Sequence, residues 1–287
     1  MRMQANMLPD GKRLHLQDGP IDLIIGAEGR PEDVRASYRA AALRFQSVLD
    51  ELCSELSALR RCNGDEPEGH IARRMWRAVG PYRAERFITP MAAVAGAVAE
   101  EILAVMTEAA HLDRAYVNNG GDIAFHLDTG AAMKVGLVDR PDRPSLFGTA
   151  VIGANDAVRG VATSGRRGRS FSLGIADAVT VLAATAAQAD AAATVIANDV
   201  DLPGHAGIVR RPACELQPDS DLGRLPVTID VGPLGTAEID AALSRGMTTA
   251  KLLIARGLTS AAALHLEGQT RFAGGAPAVM WGAAVNG

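Results

Sequence analysis

The sequence VNNGGDIAFHL, residues 117–127, places two asparagines, two glycines and an aspartate between apolar residues that are typical of strands. Strands avoid Asn, Gly and Asp, so these five residues do not serve to fill a core. Asn-Gly is a strong signal for a hairpin turn, while adjacent glycines also let a ligand lie against bare backbone. The segment alone favours the turn. A ligand-binding strand is the alternative, and its candidate residues are Asn118, Asn119, Gly120, Gly121 and Asp122.

Composition limits the class of protein. The chain has 287 residues, enough for one large domain or two ordinary ones. Aromatic residues make up 4% and the net charge is −4, so neither base-stacking surfaces nor a basic footprint for nucleic acid is indicated. The apolar runs MAAVAGAVA and VTVLAATAA are too short to cross a bilayer. We expect no membrane contact.

Two further features predict a cytoplasmic location. The first residues, MRMQANMLPDGKRLHLQDG, lack the apolar segment of an export signal. The 3 cysteines share no CxxC spacing, which is typical of a reduced compartment.

The order of predicted elements favours an α+β fold. A hairpin opens the chain, and a long helix that begins near Pro31 follows it. A helix at about 91–109 precedes short strands from 114 to 184, and a helix at about 185–198 closes that block. A strand, a helix and a last strand complete the chain. Helices and strands do not alternate one for one, as a doubly wound sheet would require.

A second candidate segment is GVATSGRRGRS, residues 160–170. Hydroxyls, bare N–H groups and guanidinium groups suit a phosphate or carboxylate. The candidate ligand-binding residues are Thr163, Ser164, Gly165, Arg166 and Arg169. A solvated basic loop is the alternative.

A third segment is AAQADAAATVIAND, in which Asp190 and Thr194 are four residues apart on a predicted helix. A carboxylate and a hydroxyl on one helix face can bind a hard cation such as Mg²⁺. A solvent-facing Asp and a Thr bonded to its own helix are the alternative. Zinc and catalytic-triad sites are not indicated, because the 6 histidines are scattered and HExxH and GxSxG are absent from the sequence.

Taken in order, NNGGDIA, GVATSG and VTVLAATAAQADAAAT resemble motifs of the ApbE-like flavin transferase superfamily. The segments GPIDLII, ITPMAAVAGAVAEE and GIADAVTVLAA are similar to its UPF0280 branch. The resemblance implies one ApbE-like domain over residues 1–287, with a division into two pseudo-repeated subdomains as the alternative. It implies T-fold-type antiparallel sheets with packed helices. It also implies that Asp190 and Thr194 hold Mg²⁺, and that FAD or FMN lies against the matching residues Thr163, Ser164, Gly120, Gly121 and Asp122.

The chain also departs from that pattern. The transferases carry a His-x-x-Asp-Pro-x-Thr-Gly segment, in whose place residues 172–178 read SLGIADA, and TPMAAVAGAVA lacks their lysine. Three functions are compatible with these motifs. The first is an enzyme acting on a small anionic or nucleotide-like molecule, with Asp122 and Asp177 as acid/base candidates. The others are a flavin or cofactor carrier without catalysis, and a residual Mg²⁺-dependent FMN transferase. We also expect a homodimer, with TPMAAVAGAVAEEILAVM as a candidate interface or pocket wall.

Overall fold

The computed structural model describes residues 3–138, 146–275 and 282–283, and it has an α+β architecture, as the sequence predicts. The helices are α1 Pro31–Ser54, α2 Leu56–Leu59, α3 His70–Val79, α4 Val94–Ala109, α5 Ala186–Asp199, α6 Ala213–Leu216 and α7 Thr236–Ala255. The first strands are β1 Gln4–Met7, β2 Leu14–Asp18, β3 Ile21–Glu28, β4 Arg114–Asn119, β5 Asp122–Leu127, β6 Ala132–Val138 and β7 Leu146–Gly153. The later strands are β8 Gly160–Ser164, β9 Ala178–Ala183, β10 Ile208–Pro212, β11 Pro226–Val231, β12 Ala261–Leu266, β13 Gln269–Gly274 and β14 Gly282–Ala283.

The chain forms two compact units, and each consists of three separate segments of the sequence. Unit 1 contains Met1–Met133, Ile152–Val161 and Ala184–Ala191. Unit 2 contains Lys134–Val151, Ala162–Ala183 and Ala192–Gly287. The first turns of α5 thus belong to unit 1, and the rest of that helix belongs to unit 2.

Unit 1 is built on an antiparallel sheet in which β1, β2, β3, β4 and β5 pair in sequence order. The hairpin predicted at NNGG joins β4 to β5, and its register places Asn119 opposite Asp122. Gly120 and Gly121 form the two-residue turn with φ of 66° and 114°. Such positive φ angles favour glycine, which explains the residue choice.

Helices α1 and α4 form the core of unit 1 against this sheet. The buried face of α1 consists of residues at helical spacing, among them Ala41, Phe45, Val48 and Leu52. Helix α4 packs against α1, β4 and β5, and its Ala- and Gly-rich first turns are almost fully buried. Small side chains there let α4 lie close to its neighbours.

Unit 2 contains the antiparallel strands β9, β12 and β13, with α7 packed on β12 and β13. All six residues of β9 and of β12 are buried. Unit 2 also contains the hairpin β10–β11, strand β14 and most of β6, β7 and β8.

The element predictions for the opening hairpin, for the long first helix and for the helices near residues 91–109 and 185–198 are confirmed. The single last strand predicted for residues 262–275 is wrong, because β12 and β13 are separated by a turn at Glu267 and Gly268. Glu267 has a φ of 44°, a conformation that a non-glycine residue rarely adopts. Helix α3 and strands β1 and β10 are additional elements.

Candidate functional site

The β4–β5 turn positions a buried aspartate next to the start of α4. The Asn118 side-chain oxygen accepts a hydrogen bond from the Gly121 N–H at 2.8 Å, which fixes the turn. Asp122 begins β5 immediately after the turn, and its side chain is buried. The Asn119 amide donates to the Ala95 carbonyl at 3.2 Å and so links the hairpin to the first turn of α4.

Asp190 meets the same helix end from α5. Its Oδ2 accepts a hydrogen bond from the Gly96 N–H at 3.1 Å, and the Ala95 N–H also donates to it. Gly96 makes this approach possible, since a Cβ there would lie 2.4 Å from the Ala186 carbonyl oxygen. Asp190 therefore caps α4 from another helix, where the free N–H groups and the helix dipole favour a negative charge.

Asp122 and Asp190, hereafter the carboxylate pair, interact electrostatically. Burial raises the pKa of the Asp190 carboxyl well above its ordinary value, and the Asp122 charge raises this pKa further. The two hydrogen bonds from α4 lower the pKa but do not offset these effects. Asp190 retains some accessible surface as a residue, while the surrounding protein desolvates its carboxylate. No Lys, Arg or His within the described residues forms an ion pair with Asp190.

A pair of buried carboxylates has two chemical uses. It can hold a proton whose affinity is raised, or it can bind a divalent cation that removes the repulsion between the two charges. The sequence prediction assigned Asp190 to a metal and Asp122 to acid/base chemistry, and the structure brings these residues together in unit 1. Thr194, the other predicted metal ligand, lies one turn further along α5 and is partly exposed.

A chain of ion pairs supports this end of unit 1. Arg44 binds Glu51 and Glu101 at 2.7 and 2.9 Å, while Arg74 lies 3.2 Å from Glu100 and 3.4 Å from Glu101. Glu100 also accepts a hydrogen bond at 2.7 Å from the backbone N–H of residue 187. The chain therefore connects α1, α3 and α4 to the first turn of α5.

The predicted anion-binding residues Gly165, Arg166 and Arg169 of unit 2 lie in a loop held by Asp177. Its buried carboxylate lies 2.7 Å from Arg166 and 3.1 Å from Arg167. The other oxygen accepts a hydrogen bond from the Glu267 N–H at 2.7 Å, which stabilises the unusual turn between β12 and β13. Both oxygens of Asp177 thus have partners within the protein, and its predicted role as an acid or base stays a prediction.

The predicted residues of this segment, of which Thr163 and Ser164 belong to β8, differ in exposure. Thr163 shares a hydrogen bond of 2.9 Å with Thr180, and Ser164 is partly exposed. Arg166 also lies 2.9 Å from the Glu267 carboxylate. Arg169 is exposed. Arg166 therefore has a structural task in the free protein, and Arg169 is more accessible to a ligand.

A second group that could hold a metal ion lies on the surface of unit 1. The ligand atoms of His111, Asp113 and Asp128 all lie within 4.8 Å of one another, and His111 Nε2 is 3.3 Å from the Asp128 carboxylate. His111 and Asp113 are exposed. Exposed acidic groups commonly carry no metal, so the buried carboxylate pair is the stronger candidate.

One segment of the described chain, Pro90–Ala109, is long and apolar enough to cross a membrane if only its length and composition are considered. Its mean hydropathy is 1.4. In the structure, 44% of its most apolar window is buried, and Glu100 and Glu101 in α4 form ion pairs. These are features of a core helix. Residues in this segment were also expected to form a dimer interface, which stays a prediction.

Comparisons with known proteins place the chain in a family. The family model described as AbpE bacteria matches residues 5–272. A UPF0280 protein of Methanopyrus kandleri is 43% identical over 186 residues, which cover 62% of this chain and 69% of the relative. A UPF0280 protein of Methanococcoides burtonii is 34% identical over 148 residues, or 51% of this chain and 58% of the relative.

Among solved structures, the apo form of the flavinyl transferase ApbE of Pseudomonas stutzeri aligns with 98% of this chain and 95% of its own chain. The TM-score of this alignment is 0.40 and the sequence identity is 10%, and both values are too low for an inference about function. The family match and the Methanopyrus kandleri relative are stronger, and they show that the chain belongs to the AbpE bacteria family and to the UPF0280 family.

Proposed function

We propose that the protein is a divalent-cation-dependent enzyme that acts on a small anionic, nucleotide-like molecule at the carboxylate pair. The observation that carries this proposal is the approach of Asp122 and Asp190 at the N-terminus of α4. The charge of Asp122 raises the proton affinity of Asp190, so a cation that neutralises both carboxylates is favoured there. Membership of the AbpE bacteria family supports the proposal without naming a substrate.

The residues fit a Mg²⁺ ion by their chemistry. Asp122 and Asp190 would supply the carboxylate oxygens. When bound, the cation would neutralise anionic oxygens of the substrate. The chain itself fixes Asp190 through the N–H groups of α4, and Asn119 fixes the Ala95 carbonyl beside it.

Cation affinity should depend on pH. Because the pKa of Asp190 is raised, protons compete with the cation at pH values where an ordinary aspartate is fully ionised. Affinity should therefore rise with pH through the raised pKa of Asp190.

Calorimetric titration with Mg²⁺ and Mn²⁺ tests the site. Asp190→Asn should weaken binding at least tenfold, about 1.4 kcal/mol, and should remove the pH dependence. Asp113→Asn, in the exposed surface cluster, is the matched control and should leave binding unchanged. Wild type and Asp190→Asn binding equally would refute the site.

The enzymatic step needs its own assay. The purified protein is first denatured, and any released small molecule is identified by mass. A separate sample of the native protein is then incubated with Mg²⁺ and FAD or other nucleotides, and the products are analysed. Turnover by the wild type that is abolished in Asp190→Asn supports the proposal that the protein is an enzyme. The products would show whether the wild type retains FMN transfer. A tightly bound flavin without turnover supports the carrier alternative. The homodimer and the cytoplasmic location stay predictions, and light scattering tests the first.

A further inference from the structure

Unit 1 contains a groove that none of the functions above uses. Its volume is about 290 Å³, close to the lower limit of small-molecule sites. It is lined by residues from α3, α4 and β5 and from the segments before β8 and α5, and those that matter here are Arg74, Leu103, Ala104, Phe125 and Arg159. Ala104 lies eight residues beyond Gly96 along α4, or about 12 Å at the helical rise. Neither Asp122 nor Asp190 lines the groove.

Arg159 is held in this groove by backbone carbonyls. Its Nη1 donates to the carbonyls of Asp156 and Val158 and its Nη2 to that of Ala154, each at 2.6 Å. No carboxylate forms an ion pair with it among the described residues, so its positive charge is not neutralised there. Its Nε–H likewise has no acceptor in that part of the chain. The guanidinium is fixed in place before any ligand arrives, which lowers the entropic cost of binding.

The charge balance of the groove is positive. Arg74 and Arg159 line it as cations, and Glu100 is its one carboxylate among the described residues. Two positive charges and one negative charge leave a net charge of +1. Glu100 already binds Arg74 and the start of α5, so Arg159 is the cation available to an incoming anion.

Apolar surface lies beside these charges. Leu103 and Ala104 contribute one wall from α4, and β5 contributes Phe125. A guanidinium beside an apolar wall suits an organic anion better than an inorganic one, because the anion's carbon skeleton also leaves water on binding.

We propose that this groove is a second ligand site, which takes a small organic anion whose carboxylate or phosphate binds Arg159 and whose apolar part lies on Leu103 and Ala104. The carboxylate pair is not required for this binding. The ligand class follows from the fixed cation and the adjacent apolar wall.

Benzoate, phenyl phosphate and neutral benzyl alcohol are the probes, and binding is measured by calorimetry and by ligand-observed NMR. We expect at least one of the two anions to bind at least tenfold more tightly than benzyl alcohol. The preferred anion distinguishes a carboxylate ligand from a phosphate ligand. Neither anion binding more tightly than the alcohol would overturn the proposal.

Two variants locate the site. Ala104→Phe fills the groove and should weaken binding at least tenfold, whereas Ala109→Phe, exposed at the end of the same helix, should not. Arg159→Lys keeps the charge but loses the planar fork, and it should also weaken binding; its melting temperature shows whether the loop before β8 has stayed folded. Asp190→Asn should bind the probes like wild type, which separates this site from the proposed active site. Unchanged binding by Ala104→Phe would place the anion elsewhere and refute the inference.

Discussion

Asp190→Asn, studied without divalent cations, should make the protein more stable than wild type at alkaline pH. The pKa of Asp190 is raised in the folded protein by burial and by Asp122, and it returns to its ordinary value on unfolding. Folding therefore favours the protonated form. The stability that this proton contributes is complete below the unfolded-state pKa and is lost as the pH rises through the folded-state pKa.

The magnitude follows from this linkage. Each unit by which the folded-state pKa exceeds the unfolded-state pKa destabilises the wild type by about 1.4 kcal/mol at high pH. For a chain of this size each kcal/mol corresponds to about 2–4 °C in Tm. Asparagine keeps an acceptor for the Gly96 N–H but carries no charge, so the variant should not be destabilised in this way at high pH.

Differential scanning calorimetry in EDTA from pH 5 to pH 9 measures the effect. The Tm difference in favour of Asp190→Asn should grow with pH, while Asp113→Asn should show no such trend. Saturating Mg²⁺ should then stabilise the wild type selectively, by about 2.7 kcal/mol at a concentration 100 times Kd. A variant that is less stable than wild type at pH 9, or a difference that does not change with pH, would refute the reasoning.

Gly96→Ala should destabilise the protein by about 1–3 kcal/mol in urea unfolding, because its Cβ would lie 2.4 Å from a backbone carbonyl oxygen. Gly80→Ala, whose Cβ would meet nothing within 4 Å, is the matched control and should leave the stability unchanged or raise it; equal stability of the two variants would show that the helices separate without cost. Asp177→Asn should cost about 3–5 kcal/mol, since it removes one partner of a buried ion pair with Arg166. The exposed Arg169→Ala should melt like wild type, and if Asp177→Asn does so too, the ion pair does not hold the loop.

Local sequence signals predicted local structure. The Gly120–Gly121 turn follows from backbone conformations that glycine adopts readily. Helix α3 was not predicted, although its buried positions, which include Ile71, Met75 and Val79, follow helical spacing. The sequence stretch before it is rich in turn formers, and a helix of ten residues is easily overlooked beside it.

Contacts between distant residues account for what the sequence does not reveal. Asp122 and Asp190 are brought together by a hairpin and a helix from separate segments, and family motifs predicted both residues without predicting their proximity. The turn at Glu267 needs a hydrogen bond to Asp177, 90 residues earlier. The sequence around residue 267 does not indicate that partner, which explains why one strand was predicted in place of two.

The interleaving of the two units has a consequence for how the chain folds during synthesis. The Gly96 N–H donates a hydrogen bond to a carboxylate 94 residues later in the sequence, and Glu100 accepts one from a backbone N–H 87 residues later. Until residue 191 has left the ribosome, α4 lacks the segment that covers its first turns. The first turns of an apolar helix are therefore incompletely covered while most of unit 2 is still unmade, and transiently exposed apolar surface of this kind favours aggregation of the nascent chain.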